Sequence, residues 1–453
     1  MNYFRNYDQL VSHGDSELRK EALDILNAGL LRADPGKATR DLVKLQGGTL
    51  SIGSASWPVD RFRNIYVFGA GKATFPIAKA LDDILGKKIT EGAVTCKEGQ
   101  EGRLDNMELF LASHPIPDER GMRAAERILS IARKTGPEDL VFACITGGSS
   151  ALMPLPVPEI TLEEKKTANQ ILLTCGANII EINSVRKHLS LIKGGRLAQA
   201  VHPEALLVNL TVSDVIGDPL DYITDPTVAD TSSFQDAKNT MDKYDLWEKM
   251  PPSICAYLRA SPPARETPKS LQPRRIQNHI IVEGDAACKG AAERARELGF
   301  ATMILSTMFE GESRELGRTF GFIAKEVRLN SRPVTAPCAF IGGGETIVTI
   351  QVGKASGLGG PNQEFALGAA LEIKDLDNVV VAGLDTDGTD GPTPFAGGLA
   401  DGKSLARGRE SGLDLFDSLK RHDAACTLEA TGDILITGNT GTNVNDLKLL
   451  LLR

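Results

Sequence analysis

Aromatic side chains are scarce, at 5% of the 453 residues, and positive charge is not in excess: 51 Lys and Arg stand against 59 Asp and Glu, a net charge of −8. A nucleic-acid or anionic-membrane surface needs clustered Lys and Arg, so neither partner is expected. No apolar run approaches the ~20 residues of a membrane span. The start, MNYFRNYDQLVSHGDSELRK, has neither an apolar stretch nor a small-residue cleavage site, so a signal peptide is not expected. Seven cysteines (Cys96, Cys144, Cys175, Cys255, Cys288, Cys338 and Cys426) form no CxxC pair. That odd, scattered set is neither a disulfide framework nor a zinc site, and it fits buried, reduced thiols in a cytoplasmic protein.

Glycine, by contrast, is plentiful at 45 residues, with 42% hydrophobic and 24% charged residues around it. At roughly 150 residues per domain the length allows two or three domains, each able to bury a core. Short apolar runs alternate with helical patterns. Strands are expected at 65–68, 109–112, 140–145 and 205–212, and helices at 15–31, 75–85, 120–134, 163–173 and 193–200. Buried strands separated by helices predict an α/β fold, a doubly wound, mostly parallel, Rossmann-like sheet. Residues 236–275 contain six prolines at 251, 252, 262, 263, 268 and 273, which reads as a helix followed by a domain crossing. A second α/β unit follows, with strands at 279–282, 301–305, 339–341, 346–352 and 379–383 and helices at 286–298, 311–330 and 363–371. The tail reads as a strand at 434–437, a turn and a helix. The expected division is therefore an N-terminal domain over 1–240, a linker over 241–275 and a C-terminal domain over 276–453.

In such sheets ligands gather at the carboxyl ends of strands, where the Gly-, Ser- and Asp-rich segments of this chain lie. Gly69-Ala-Gly71-Lys72-Ala-Thr74 follows a buried strand and opens a helix. Its glycines let a ligand approach the backbone, and the free N–H groups and Lys72 suit a phosphate. Read as a dinucleotide fingerprint it is poor, because Thr74 occupies the sixth position and the acidic residue expected about 20 positions on is not clearly placed, Glu98 after the next expected strand lying nearer 30 on. A plain strand–helix turn is the third possibility. Thr146-Gly147-Gly148-Ser149-Ser150 repeats the pattern at the next strand end and makes a phosphate cradle with the first loop. Residues 183–195 carry Arg186, Lys187, His188 and Lys193 ahead of Gly194-Gly195. That is either a solvated basic face or an anion site, with Arg186 and Lys193 sharing a helical face. Asp214 and Asp218 flank a glycine turn after another apolar strand. They are candidates to hold Mg²⁺ or to accept a substrate proton, against the alternative of a turn built from Asp and Gly. Asp385-Thr-Asp387-Gly-Thr-Asp390-Gly-Pro392 is not an EF-hand, since Asp390 and Ala396 stand where Gly and Glu belong. With Gly438-Asn439-Thr-Gly-Thr-Asn443 it forms a set of loops that could face a cleft. His114, in SHPIPD, reads as structural before catalytic.

Taken in order, VFGAGKAT (67–74), SHPIPD (113–118), ITGGSSAL (145–152), NSVRKHLSLIKGGRLA (183–198), SDVIGDPL (213–220), GGGETIVTI (342–350), NQEFAL (362–367), DTDGTDGPT (385–393) and TGTNVNDL (440–447) resemble the glycerate 2-kinase family. Its members carry a C-terminal MOFRL domain and are often labelled hydroxypyruvate reductase. The resemblance implies ATP- and Mg²⁺-dependent phosphorylation of the 2-hydroxyl of glycerate, in a cleft between two α/β domains, and a homodimer is compatible with it. It puts Lys72 and Asp214 in the active-site pair, Arg186 on the substrate's anionic end, and Lys193-Gly-Gly in an anion-binding stretch. On this reading Gly69, Gly71, Gly147, Gly148, Ser149, Ser150, Lys193, Gly194 and Gly195 contact ATP phosphates. Asp387, Asp390, Asn439 and Asn443 line the cleft, and Asp214 with Asp218 holds the metal.

Two departures stand out. Asp225 lies in Thr224-Asp-Pro-Thr227, where the family reads Ser-Gly-Pro-Thr, and Pro361 replaces a cation in Gly-Gly-Arg-Asn-Gln-Glu. They leave a related hydroxy acid open as substrate, with Arg186 the first candidate to compensate for the lost charge. The rival readings are an NAD(P)-dependent hydroxypyruvate reductase, disfavoured by the poor fingerprint, and a non-catalytic phospho-metabolite sensor, which would need no Asp214.

Overall fold

The computed structural model describes residues 2–215, 217, 219–350 and 357–453. Two compact units emerge, each with its own six-stranded sheet. The first comprises Pro35–Ser213 and Asp218–Ile281; the second comprises Met1–Asp34, Asp214–Gly217 and Val282–Arg453.

The sheet of the first unit is built from β1 (Ile65–Ala70), β2 (Ile89–Lys97), β3 (Glu108–Ala112), β4 (Leu140–Ile145), β5 (Leu206–Val212) and β6 (Arg275–Val282). Their spatial order is β3-β2-β1-β4-β5-β6, and the pairs from β3 through β5 are all parallel. Every residue of β1, β4 and β5 is buried, which is why their sequences are apolar runs without alternation. Helix Glu119–Lys134 covers this sheet, capped by Asp118, whose carboxylate accepts the backbone N–H groups of Arg120 and Gly121. Its buried stripe of Ala124, Ala125, Ile128, Leu129, Ile131 and Ala132 packs with Phe68 and Val141. A three-stranded antiparallel meander over 43–58 has no counterpart in the sequence reading, its strands being only four residues each.

The second sheet contains β7 (Ala301–Phe309), β8 (Cys338–Gly344), β9 (Val379–Asp385), β10 (Gly397–Asp401), β11 (Ile434–Leu435) and β12 (Asp446–Leu452). The order is β7-β8-β12-β9-β10-β11, and only β7 and β8 are parallel. Phe320, Phe340 and Phe365 form the centre of its core with Val381, Leu450 and Leu452.

Four expectations are corrected. The tail is not helical: Asp-Leu-Lys-Leu-Leu-Leu-Leu is β12, a central strand between β8 and β9. Its seven residues are all buried, and a short leucine run covered on both faces carries no period that tells strand from helix. Residues 346–350 form no strand beyond a single bridge between Ile347 and Glu312; the rest of that expected strand, and residues 353–356 of the Gly-rich loop, lie outside the described residues. Residues 275–282 close the first sheet instead of opening the second unit. The Pro-rich segment is not a linker either. Helices Phe234–Lys243 and Pro252–Ala260 bury Phe234, Met241, Ile254 and Leu258 against Val185 and Leu189. Pro252 opens the second of these helices, where its missing N–H is no loss.

The domain division also falls elsewhere than at 240 and 275, because residues 1–34 join the second unit. Helix Ser16–Arg32 packs on helix Ala286–Glu297 through small residues. A Cβ on Gly29 would sit 2.9 Å from the Ala287 carbonyl oxygen, and one on Gly290 2.8 Å from that of Ala28. Arg19, fully buried, then donates to Asp401 at 2.7 Å and to Asp433 at 2.6 Å, and Arg407 binds the same two carboxylates at 2.9 Å. Burial alone would raise the pKa of Asp433, but the hydrogen bond from His13 and the charges of Arg19 and Arg407 outweigh it and hold it at about 2. Removing one member of such a network strands the others. Arg19→Met is therefore expected to cost about 3–5 kcal/mol in a denaturant titration. Because the folded pKa of Asp433 is depressed, its contribution is complete above the ordinary carboxylate pKa and lost as pH falls toward 2, which acid titration of wild type and variant checks.

Candidate functional site

Counting from β3, chain order reverses between β1 and β4, and the loops leaving these two strands are Gly71–Ala73 and Thr146–Gly148. A crevice at the carboxyl ends of adjacent strands that lead to opposite sides of the sheet is the usual ligand position in such folds. The two loops are joined backbone to backbone. Lys72 N–H donates to the Gly147 carbonyl at 2.9 Å, and Thr146 N–H to that of Ala70 at 3.1 Å. The Thr146 hydroxyl accepts the Ala73 N–H at 3.2 Å, while Thr74 donates its hydroxyl to the Cys144 carbonyl at 2.9 Å.

The glycines here serve the joint itself. A Cβ on Gly69 would lie 2.0 Å from the Cys144 carbonyl oxygen, and one on Gly71 2.0 Å from the Thr146 hydroxyl. Gly69 and Gly71 thus give β1 and β4 their close approach. Gly148 is different. It stands at φ +85° with its open side toward two functional groups, since a Cβ there would be 3.1 Å from His114 Nε2 and 3.3 Å from Lys72 Cγ. Lys72, Gly147, Gly148 and His114 therefore converge, and Ser149 and Ser150 open the short turn of helix that follows. In the sequence His114 reads as structural before catalytic, and no motif spacing links it to Lys72; the adjacency of β3, β2, β1 and β4 brings both to Gly148.

The basic segment breaks into two parts. Helix Ile179–His188 ends before Lys193, so Arg186 and Lys193 do not share a helical face, although their charges still act on each other. Lys193 is buried, with its ammonium 2.8 Å from Asp225. Gly194 and Gly195 turn in the left-handed region against the Asp230–Thr267 and Val228–Pro268 contacts, and Gly195 N–H donates to the Asp225 carbonyl. Lys187 is neutralised by Asp221 at 2.5 Å and Asp230 at 3.1 Å. The Arg186 guanidinium makes no hydrogen bond or ion pair among the described residues, and burial lowers its pKa despite the nearby Asp225 carboxylate. The contacts of Lys193 thus tie it to Asp225, and not to the 146–150 loop with which an ATP cradle would pair it.

Lys165 belongs with these charges and was missed. It lies on helix Leu162–Thr174, 3% exposed, on the face that also buries Leu162, Ala168 and Leu172. The signal was there: a lysine falls in register with an apolar stripe at 162, 165, 168 and 172.

In the second unit, Asp214 accepts a hydrogen bond from the Asn443 amide at 3.1 Å. Asp218 lies outside the described residues. The loops 385–390 and 439–445 are bonded to each other through Thr386, which takes the Val444 N–H on its hydroxyl and gives its own N–H to the Asn445 carbonyl. Asp387 accepts from the Thr389 N–H and hydroxyl, and Asn439 from the Gly441 N–H, so both shape their loops. Asp390 is fully buried, its oxygens taken by the backbone and amide of Asn362 and the N–H of Gln363. Burial pushes its pKa up to about 7. It anchors helix Pro361–Glu372 and presents no oxygen to a substrate. Pro361 opens that helix, a position suited to proline. No group of three or more His, Cys, Asp or Glu among the described residues could hold a metal. A magnesium ion carried on nucleotide phosphates needs only one or two protein carboxylates, which Asp214 fits.

Two family models match: the DUF4147 domain of unknown function over residues 21–259 and the MOFRL family over 338–446. A glycerate 2-kinase of Pyrococcus horikoshii is 38% identical over 96% of this chain and 98% of its own length. A D-glycerate 2-kinase of Thermotoga maritima is 39% identical over 96% and 98%. The chain belongs to the glycerate 2-kinase family. A crystal structure of glycerate kinase from Thermotoga maritima superimposes with a TM-score of 0.83 at 37% identity, over 97% of this chain and all of that one. A relative in Agrobacterium vitis, 39% identical over 85% of this chain and 86% of its own length, bears a hydroxypyruvate reductase label. The family assignment accounts for the paired α/β units and for the spread of matching segments along the chain. No helix among the described residues is long and apolar enough to cross a membrane.

The joint between the loops yields a prediction. Gly71→Ala would place a methyl group on Thr146, so it should destabilise the fold by about 1–3 kcal/mol and lower turnover far more than its stability loss explains. Thermal denaturation and initial rates, measured on one preparation, check this.

Proposed function

We propose that this glycerate 2-kinase family member transfers the γ-phosphoryl group of ATP, bound with Mg²⁺, to the 2-hydroxyl of D-glycerate or a close hydroxy acid, giving the 2-phosphate and ADP. The observation that carries the reading is the convergence of Lys72, Gly148 and His114 where β1 and β4 end. A lysine whose side chain passes Gly148 can bring an ammonium to glycine N–H groups, a pairing that matches the charge that builds on phosphoryl oxygens during transfer. Lys72 steadies the transferring group, and the backbone of Gly147, Gly148, Ser149 and Ser150 cradles the phosphates. Asp214, oriented by Asn443, accepts or directs the acceptor hydroxyl proton. Arg186 pairs with the anionic end of the acid. The magnesium ion enters with the nucleotide and neutralises its phosphates. A cytoplasmic setting, with ATP and reduced thiols, fits this chemistry.

A second reading has one observation behind it: the order β3-β2-β1-β4-β5-β6 is also that of dinucleotide-binding folds, and the Agrobacterium relative is labelled accordingly. Fluorescence titration with NADH and NADPH separates the two readings, and no saturable change is expected.

The decisive experiment is ³¹P NMR of the protein with Mg-ATP and a panel of D-glycerate, L-glycerate, hydroxypyruvate and erythronate. A new phosphomonoester coupled to the C2 proton of D-glycerate is expected, and ATP left intact with every acid would refute the proposal. Lys72→Ala and Asp214→Asn should each lower kcat by about 10²-fold or more in a coupled ADP assay. Full turnover by Lys72→Ala would remove it from the chemistry.

A further inference from the structure

We infer that Lys165, Arg186 and Lys193 form a single oxyanion site in the first unit, that Asp225 is its built-in counter-ion, and that the site takes the carboxylate of the hydroxy acid. The inference deepens the role proposed for Arg186 and rests on that reading for the identity of the acid.

The argument is one of uncompensated charge. The Lys165 side chain is almost completely buried, yet its ammonium makes no hydrogen bond or ion pair with any described residue. Burial lowers its pKa to about 7, and the charges of Arg186 and Lys193 push the same way, with Asp225 the opposing one. Arg186, half-buried, is also without an ion-pair partner among the described residues. Lys193 has one, Asp225, at 2.8 Å through Oδ2. The other oxygen of that carboxylate, Oδ1, is buried and accepts no hydrogen bond from the described residues. Three cations thus share one half-satisfied carboxylate.

Nothing in the stability of the fold calls for this excess. A buried charge without a partner is among the costlier features a core can hold. Elsewhere in the same segment the excess is absent, since Lys187 meets both Asp221 and Asp230. An entering oxyanion would supply the missing negative charge, and the seat of Asp225 on Lys193 shows that a carboxylate suits this group of donors. Asp225 then competes with the ligand for Lys193 and sets how strongly the site attracts it. The departure at 225, a carboxylate in place of a small residue, becomes a device that tunes affinity.

The two kinds of change should act in opposite directions, which a merely structural role would not produce. D-glycerate binding is measured by isothermal titration calorimetry without nucleotide, on wild type, Lys165→Met and Asp225→Asn. Lys165→Met should raise Kd at least tenfold, with Lys165→Arg recovering part of the loss, while Asp225→Asn should lower Kd threefold or more. In steady state the KM for D-glycerate should follow these changes and the KM for Mg-ATP should stay within twofold. Lys165→Met should also raise Tm, because it removes a buried, unpartnered charge. Asp225→Asn keeps the side-chain shape, so it decides the matter should Lys165→Met fail to fold. Unchanged binding in Lys165→Met or in Asp225→Asn, shifts of one sign in both, a change confined to the KM for Mg-ATP, or no D-glycerate binding by wild type would overturn the inference. Binding that responds as expected in a protein that phosphorylates no acid would leave the site standing and refute the kinase reading. Phosphorylation of D-glycerate with binding unaltered in both variants would do the reverse.

Discussion

The close approach of β1 to β4 is the constraint on which the candidate site depends. Gly69 faces Cys144 and Gly71 faces Thr146 with no room for a side chain, and this lets the two following loops exchange backbone hydrogen bonds. Lys72 is thereby held on one side of the strand-order reversal and Gly148 on the other, with His114 beside Gly148. Preorganised donors are worth most where water is excluded and no reorganisation is needed. A loop pinned between two fully buried strands meets that condition better than a free glycine-rich turn would.

The molecule treats buried charge in two contrasting ways. Around Arg19, two guanidinium groups and two carboxylates balance one another's charge within the core of the second unit, and the result is an anchor for the N-terminal helix. Around Lys165, positive charge is left over. The same physical cost is spent on stability in the first case and held ready for a ligand in the second. Asp390 is an instance of the first kind. Its position in an acidic, glycine-rich loop suggests a substrate contact, yet its hydrogen bonds belong to Asn362 and Gln363.

Much of this was legible in the sequence where local pattern decides structure. The apolar runs of β1, β4 and β5, the helix after Asp118 and the loops at 69–74 and 146–150 are all where periodicity and glycine place them. The resemblance to glycerate 2-kinases, spread over nine segments, matches the relatives found. What stayed hidden depends on tertiary partners. The leucines of β12 carry no period because neighbours cover both faces. Residues 1–34 join the second unit through glycines and one arginine whose partners are nearly 400 residues away. His114 and Lys72 come together at Gly148 only across the sheet, and Lys165 looks like one more charge in Leu-Glu-Glu-Lys-Lys until the helix is seen to bury it. The glycines at 69 and 71 also meet a packing need that the motif alone does not reveal.

The most direct test of the central claim is hydrogen–deuterium exchange of the full-length protein, with and without a non-hydrolysable ATP analogue and Mg²⁺. If the joined loops after β1 and β4 hold the nucleotide phosphates, amides in 71–74 and 146–151 should gain protection together as the analogue saturates. Saturable binding that leaves both segments unprotected would contradict the account.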